Sequence, residues 1–276
     1  MTVAQKRWGQ GIYFVVALIC VAILVFPMYW MIVSSLKTNM QLFASNPAFY
    51  PPTPQWGVYG QVLSSQWTHL VTSLIIAFGV VILSLLIASP AAFALAHFRL
   101  KGISILLLAL LIVQMVPGVS LANALFVIFH KLGLLNNYFG IILADSTYAV
   151  PFCVLILRAF MLSIPHELME SAFVDGGNNW TAFLRIVLPI AKPALVTASL
   201  FAFLFSWGDF LFALTMTTSN RIEPVTLAVF QYSGQYGNQW GPMMAFAVIA
   251  SIPAALILIF SQRFITAGIS SSGLKG

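Results

Sequence analysis

The chain has 276 residues, 61% of them hydrophobic and only 7% charged, with a mean hydropathy of +0.98. Soluble domains carry roughly 25% charged residues, so the composition excludes a water-soluble enzyme or capture module and describes an integral membrane protein. The formal charge of +6 does not point to nucleic acid, because the basic residues sit at the ends of apolar runs, where they mark membrane topology.

Crossing about 30 Å of hydrocarbon takes roughly 20 apolar residues, and the runs 11–35, 70–97, 103–129, 138–160, 193–216 and 242–265 meet that length. Every backbone N–H and C=O in lipid must be satisfied within the protein, so each run predicts a helix. The period-two alternation of barrel strands is absent. Lys6 and Arg7 ahead of the first run resemble the start of a secretory leader. That run is too long for a leader's apolar core, and no small-residue cleavage site follows, so it reads as a retained span. Pro27, Pro90, Pro117, Pro151 and Pro253 fall inside five of the runs. Each removes a backbone donor and kinks its helix, which suits a bundle that encloses a cavity, although proline is also common in membrane helices generally. Cys20 and Cys153 lie within apolar runs and read as small core residues.

With the N-terminus inside, Lys6, Arg7, Arg99, Lys101, Arg158, Arg185, Lys192, Arg263 and Lys275 face the cytoplasm, nine of the twelve basic residues. Lys37, Lys131 and Arg221 face outward. The bias predicts cytoplasmic termini and a single transmembrane domain over 1–276 in the cell membrane. Outside lie 36–69, rich in proline and aromatics (Pro47, Phe49, Tyr50, Pro51, Pro52, Pro54, Trp56), and 217–241, with Gln-Tyr-Ser-Gly-Gln-Tyr at 231–236. Both read as ordered loops whose aromatics anchor at the interface.

The polar interruption at 163–192 falls between the fourth and fifth runs. It holds Glu167, Glu170 and Asp175, three of the chain's six carboxylates. Pro165 suits a first helical turn, and Glu167 places negative charge where the helix dipole favours it. Leu168, Met169, Ala172 and Phe173 recur at helical spacing and predict one apolar stripe, with Glu167, Glu170, Ser171 and Asn178 mostly away from it. Gly176-Gly177 is the stop. A second helical piece begins near Asn179, an acceptable cap, and runs through Trp180, Phe183, Leu184, Ile186 and Val187, until Pro189 ends or bends it and Pro193 opens the fifth span. On pattern alone, the pair reads equally as an amphipathic connection lying in the interface.

The residue order Glu170-Ser171-Ala172, three residues, Gly176, nine residues, Ile186-Val187-Leu188-Pro189 resembles the signature loop of binding-protein-dependent ABC importer permeases. That family's pattern is Glu-Ala-Ala, three residues, Gly, nine residues, Ile, any residue, Leu-Pro, and Ser171 is the one departure. Arg158-Ala159-Phe160, Pro165-His166-Glu167-Leu168, Trp207-Gly208-Asp209-Phe210 and the tail from Gly268 to Gly276 resemble the carbohydrate-uptake branch, in particular the shorter permease of a maltose-type pair. The usual Trp-Asn-Glu-Phe is Trp207-Gly208-Asp209-Phe210 here. The resemblance implies an all-α membrane protein with six transmembrane helices and a cytoplasmic coupling helix between spans four and five. It also implies that Glu167, Leu168, Met169, Glu170, Ser171, Ala172, Phe173, Asp175, Gly176, Ile186, Leu188 and Pro189 couple the chain to an ATPase. The implied partners are a sister permease, two cytoplasmic ATPase subunits that bind ATP and Mg, and an external sugar-binding protein, with membrane lipid around the bundle and no nucleic acid. This chain has no G-x-x-x-x-G-K-[ST] phosphate loop, so it is expected to bind no cofactor and to hydrolyse no ATP itself.

Candidates for a substrate path are Gln114, Asn123, Tyr148, Trp207 and Asp209. Ionisable groups in a span are functional hypotheses by default; against that, such residues often serve as glue between helices, and Asp209 could instead hold a neighbouring helix. Asp145 reads as a charge at a helix N-terminus. His69, His97, His130 and His166 fall in separate loops or ends without metal-ligand spacing, and no nucleophile–base arrangement predicts a catalytic site. The alternatives to a permease are an ion-coupled secondary transporter, which would place charges near the midplane and show inverted repeats, and a membrane-embedded enzyme.

Overall fold

The computed structural model describes residues 3–219, 221–232 and 239–272, with side chains from 13 to 263 of these. The tail residues 273–276, with Lys275, and most of the 231–236 motif lie outside the described residues. Regular structure among the described residues is entirely helical: α1 Val3–Ser35, α2 Asn39–Leu42, α3 Gly57–His97, α4 Ile103–Met115, α5 Gly118–Leu132, α6 Tyr138–Met161, α7 Glu167–Val174, α8 Asn179–Ala182, a π turn Phe183–Val187, α9 Leu188–Ile190, α10 Lys192–Trp207, α11 Leu211–Met216, α12 Val225–Gln231 and α13 Trp240–Ser272. Four of these contain continuous stretches long and apolar enough to cross a membrane: Tyr13–Ser35, Gly57–His97, Tyr138–Met161 and Trp240–Arg263. The count reaches six when the bent pairs Ile103–Met115 with Gly118–Leu132 and Asn179–Ile190 with Lys192–Trp207 each make one span.

Two expected spans are therefore not single helices. The third bends by 97° at Pro117. Pro117 forces the preceding residue out of the helical region, and Val116 is indeed extended at φ −66°, ψ 126°. The other four intramembrane prolines stay inside continuous helices. The fifth span breaks after Trp207, where Gly208 ends α10 and α11 restarts at Leu211. The second helix also begins earlier than the hydropathy indicated, at Gly57, so the latter part of the predicted loop 36–69 is helical. Its 41 residues would reach about 60 Å at 1.5 Å per residue, about twice a hydrocarbon core.

Packing divides the chain into two compact units, Met1–Trp67 with Val229–Ser251, and Thr68–Ala228 with Ile252–Gly276. In the first, α1 exposes nearly its whole apolar surface from Tyr13 to Phe26, as a lipid-facing or partner-facing helix does. The loop after it is fastened down. Lys37 is buried, lies 4.6 Å above the Trp30 ring and donates to the Ala48 carbonyl, while the Tyr29 hydroxyl donates to the Phe49 carbonyl. Thr38 and Gln41 cap α2 reciprocally.

The second unit is built around α6. Its buried residues, including Ile141, Ala144, Ala149, Cys153, Leu157 and Met161, form the spine of the main core. Small residues set the spacing to α10, where Ala194, Ala198 and Ala202 are buried, and the Cys153 thiol reaches the Ala198 carbonyl at 3.6 Å. Asn136, at φ 55°, ties the α5–α6 turn to the chain after α11. Its side-chain oxygen accepts from the Thr218 and Ser219 amides at 2.8 and 2.9 Å.

Candidate functional site

The polar segment folds into a compact hairpin of short helices at the end of α6. Ile164 is buried and starts the turn, and Met169 and Glu170 donate their amides to the His166 carbonyl to begin α7. The C-terminus of α7 is closed by a Schellman arrangement. Gly177 N–H donates to the Ala172 carbonyl at 2.8 Å and Gly176 N–H to the Phe173 carbonyl at 3.0 Å, with Gly176 left-handed at φ +77°. Gly177 is required for a different reason, since a β-carbon there would lie 2.7 Å from the Ala172 carbonyl oxygen. Ser171 donates to the Leu168 carbonyl at 2.8 Å, so its hydroxyl is satisfied inside the helix.

The predicted stripe on α7 divides in two. Met169 and Ala172 are buried in the chain's own core beside Met161, Phe183 and Val187, whereas Leu168 and Phe173 are exposed together with Glu167, Glu170 and Asp175. Helical spacing brings the four residues to one side, but the core takes the inner two. Met169 and Ala172 therefore anchor α7, and its free face is Leu168, Glu170, Ser171 and Phe173. Val174, 87% exposed, is a projecting apolar residue that the pattern reading missed.

The second piece is capped by Asn178, not Asn179. The Asn178 side-chain oxygen accepts from the Thr181 amide at 2.9 Å and the Thr181 hydroxyl at 3.1 Å. Its continuation is the π turn, which ends immediately before Leu188 and Pro189. A proline ring clashes with the carbonyl four residues back in a regular helix, and the wider turn makes room for it. Ile186, Leu188 and Pro189 thus mark a wide turn, after which the chain bends by 76° into α10. The hairpin is tied to the end of α3 as well. The Phe93 and Phe183 rings lie 5.1 Å apart, and those of His97 and His166 5.3 Å apart. Sequence placed these histidines in unrelated loops; the fold sets them side by side, with both His97 ring nitrogens buried and without a hydrogen-bond partner.

The path candidates separate. Tyr148 donates its hydroxyl to the Val116 carbonyl at 2.7 Å, and Gln114 donates to the Tyr148 carbonyl at 3.2 Å. Together they satisfy and brace the broken backbone at Pro117. Trp207 is buried and stacks on Phe203 at 5.4 Å. Asp209 accepts from the amides of Phe212 and Ala213 at 3.3 and 2.9 Å, which caps the restart of α11, and its carbonyl accepts from the Thr226 hydroxyl at 2.5 Å. Asn123 alone of the five is exposed, on α5. Asp145 is not a helix N-terminal charge. It lies in the interior of α6, is buried, and accepts from the Ser206 hydroxyl of α10 at 2.5 Å while its other oxygen has no partner. No group of three or more His, Cys, Asp or Glu side chains suited to a metal ion occurs among the described residues.

Comparison with known proteins agrees with this architecture. The chain is 31% identical to the sulfoquinovosyl glycerol transport system permease protein SmoH of Agrobacterium fabrum, over 97% of this chain and 95% of that protein. It is 32% identical to the trehalose transport system permease protein SugB of Mycobacterium tuberculosis, over 91% of this chain and 92% of that one. Its fold matches a chain in the crystal structure of a bacterial ABC transporter involved in the import of the acidic polysaccharide alginate, with a TM-score of 0.79 at 20% identity, covering 96% of this chain and 99% of the other. Residues 84–271, which include the hairpin, match the family model of these components. The chain thus belongs to the family of binding-protein-dependent transport system inner membrane components.

Proposed function

We propose that this chain is the transmembrane permease subunit of an ATP-driven sugar importer, forming half of the translocation path. It works beside a sister permease, receives sugar from an external binding protein, and is driven by two separate ATPase subunits that bind ATP and Mg on the cytoplasmic side. The named cargoes of its relatives, trehalose and sulfoquinovosyl glycerol, support a sugar or sugar-containing substrate. The basic residues near the hairpin, Arg158, Arg185 and Lys192, support its cytoplasmic placement.

The observation that carries the reading is the construction of α7. It is rooted by Met169 and Ala172, closed by a double-glycine stop, and presents Leu168, Glu170 and Phe173 to solvent. A short rigid helix with a free apolar and acidic face transmits movement between a partner and the bundle, because neither end can yield independently. The test is Phe173→Asp in the full importer, purified from its native membrane through a tag on this chain. A buried aromatic anchor contributes about 2 kcal/mol or more to an interface. The expected outcome is normal membrane insertion with loss of the subunit labelled by 8-azido-ATP. Wild-type retention of that subunit sinks the proposal, and sugar uptake by vesicles holding this chain alone would favour an ion-coupled transporter.

A further inference from the structure

α3 and the second half of the hairpin do not close fully on each other. Between them runs a trough made of two adjoining hollows. The first, about 540 Å³, has Ile82, Leu85 and Leu86 on its α3 wall and Leu184, Leu188 and Leu195 opposite. The second, about 330 Å³, continues past Phe93, Ala94 and Phe98 to Asn179. Pro90, Trp180 and Phe183 line both, and the buried Phe93 and Phe183 rings, 5.1 Å apart, form the floor. Both walls belong to stretches apolar enough for a membrane, and Ile82, Leu86 and Leu184 stay exposed at the lip. The trough therefore opens toward hydrocarbon. From Ile82 to Phe98 it covers about 24 Å at 1.5 Å per residue, more than the ~15 Å that one leaflet contributes to a hydrocarbon core. A helix about 10 Å across would need far more room over that length, whereas a single hydrocarbon chain fits.

The end of the trough carries charge of one sign. Phe98 closes it, and Arg99 and Lys101 follow, both exposed and neither in an ion pair among the described residues. Arg185 and Lys192, on the hairpin side, add the same sign. The hairpin's acids, Glu167, Glu170 and Asp175, lie on α7 and its cap, and none lines either hollow. Trp180 is exposed at this end, and its amphipathic ring suits the level of the headgroups.

We infer that the trough binds an anionic phospholipid from the leaflet on the hairpin's side, with one acyl chain lying between Ile82 and Phe98 and the phosphate at Arg99 and Lys101. Basic residues just beyond a membrane helix attract anionic headgroups, and the hollows give such a lipid a fixed seat for its chain. The inference requires only that the chain spans a membrane, and it stands or falls separately from the docking role of α7.

The test uses the full importer, tagged on this chain and reconstituted in nanodiscs. These contain phosphatidylglycerol carrying a diazirine in its acyl chain or, in parallel, phosphatidylcholine carrying the same group. After irradiation the labelled peptides are mapped. Phosphatidylglycerol is expected to label peptides within 82–98 and 179–195 about tenfold or more above phosphatidylcholine, the scale of two basic contacts. Arg99→Gln combined with Lys101→Gln changes only exposed side chains and is expected to abolish that preference, with co-elution of the subunits verifying assembly. Ala94→Phe fills the second hollow and is expected to lower labelling there by both lipids. Equal labelling by the two lipids overturns the inference, as does a preference that survives the double charge variant. Labelling spread evenly along the exposed face of α1 would mean ordinary surrounding lipid and overturns it too. So does an unlabelled trough whose diazirine-free cross-links run to another subunit, because the occupant would then be protein.

Discussion

Tyr148 has a ring that could stack on a sugar and a hydroxyl that could bond one, yet the hydroxyl is committed to the Val116 carbonyl 2.7 Å away. Proline at 117 frees backbone groups in a lipid-embedded helix, and each must find a partner within the protein. Tyr148→Phe deletes that partner at nearly constant volume and should cost about 1–3 kcal/mol. The expected result is a lower thermal midpoint for the detergent-solubilised importer, with an unchanged sugar concentration for half-maximal ATPase stimulation. A shift in that concentration would return Tyr148 to the substrate path. Asp209 carries the same lesson, because its identity in the sequence was plain while its use as a cap for α11 depended on where the chain broke.

Among the elements, the hairpin 163–192 shows most directly what sequence patterns can and cannot say. Glycine and proline positions have local causes, so the stop at Gly176-Gly177 and the disturbance at Pro189 were legible from sequence. The division of the α7 stripe was not. Periodicity shows which residues share a face, but only the packing of Phe183 and Val187 decides that Met169 and Ala172 turn inward while Phe173 stays free. The cap was misread by one residue, Asn179 for Asn178, since adjacent asparagines are equivalent until the Thr181 amide selects one. Asn178→Ala should cost about 0.5–2 kcal/mol of local stability. It should appear in hydrogen–deuterium exchange as faster exchange over 179–190 with little change in α6. Unchanged protection there would mean that packing, and not the cap, holds the second piece.

For the molecule as a whole, the decisive arrangement is the side of the membrane on which the hairpin emerges. Native thiols do not interfere with a labelling test, since Cys153 is buried and Cys20, exposed and not in a core, lies within Tyr13–Ser35, the stretch of α1 long and apolar enough to cross the membrane. Val174→Cys and Met40→Cys each place a thiol at a position 87% exposed. A membrane-impermeant thiol reagent should label Met40→Cys in right-side-out vesicles and Val174→Cys only in inside-out vesicles. The reverse pattern would place the hairpin outside and end the ATPase-coupling account. Hydropathy alone established a multi-pass helical membrane protein, because the absence of water in the bilayer leaves a long apolar run no other way to satisfy its backbone. The spacing of the hairpin residues, read as a resemblance, pointed to the transport family. Tertiary structure alone decided that Asp145 meets Ser206 and that His97 meets His166. These are contacts between residues far apart in the chain, and they depend on how whole helices pack, which no local pattern encodes.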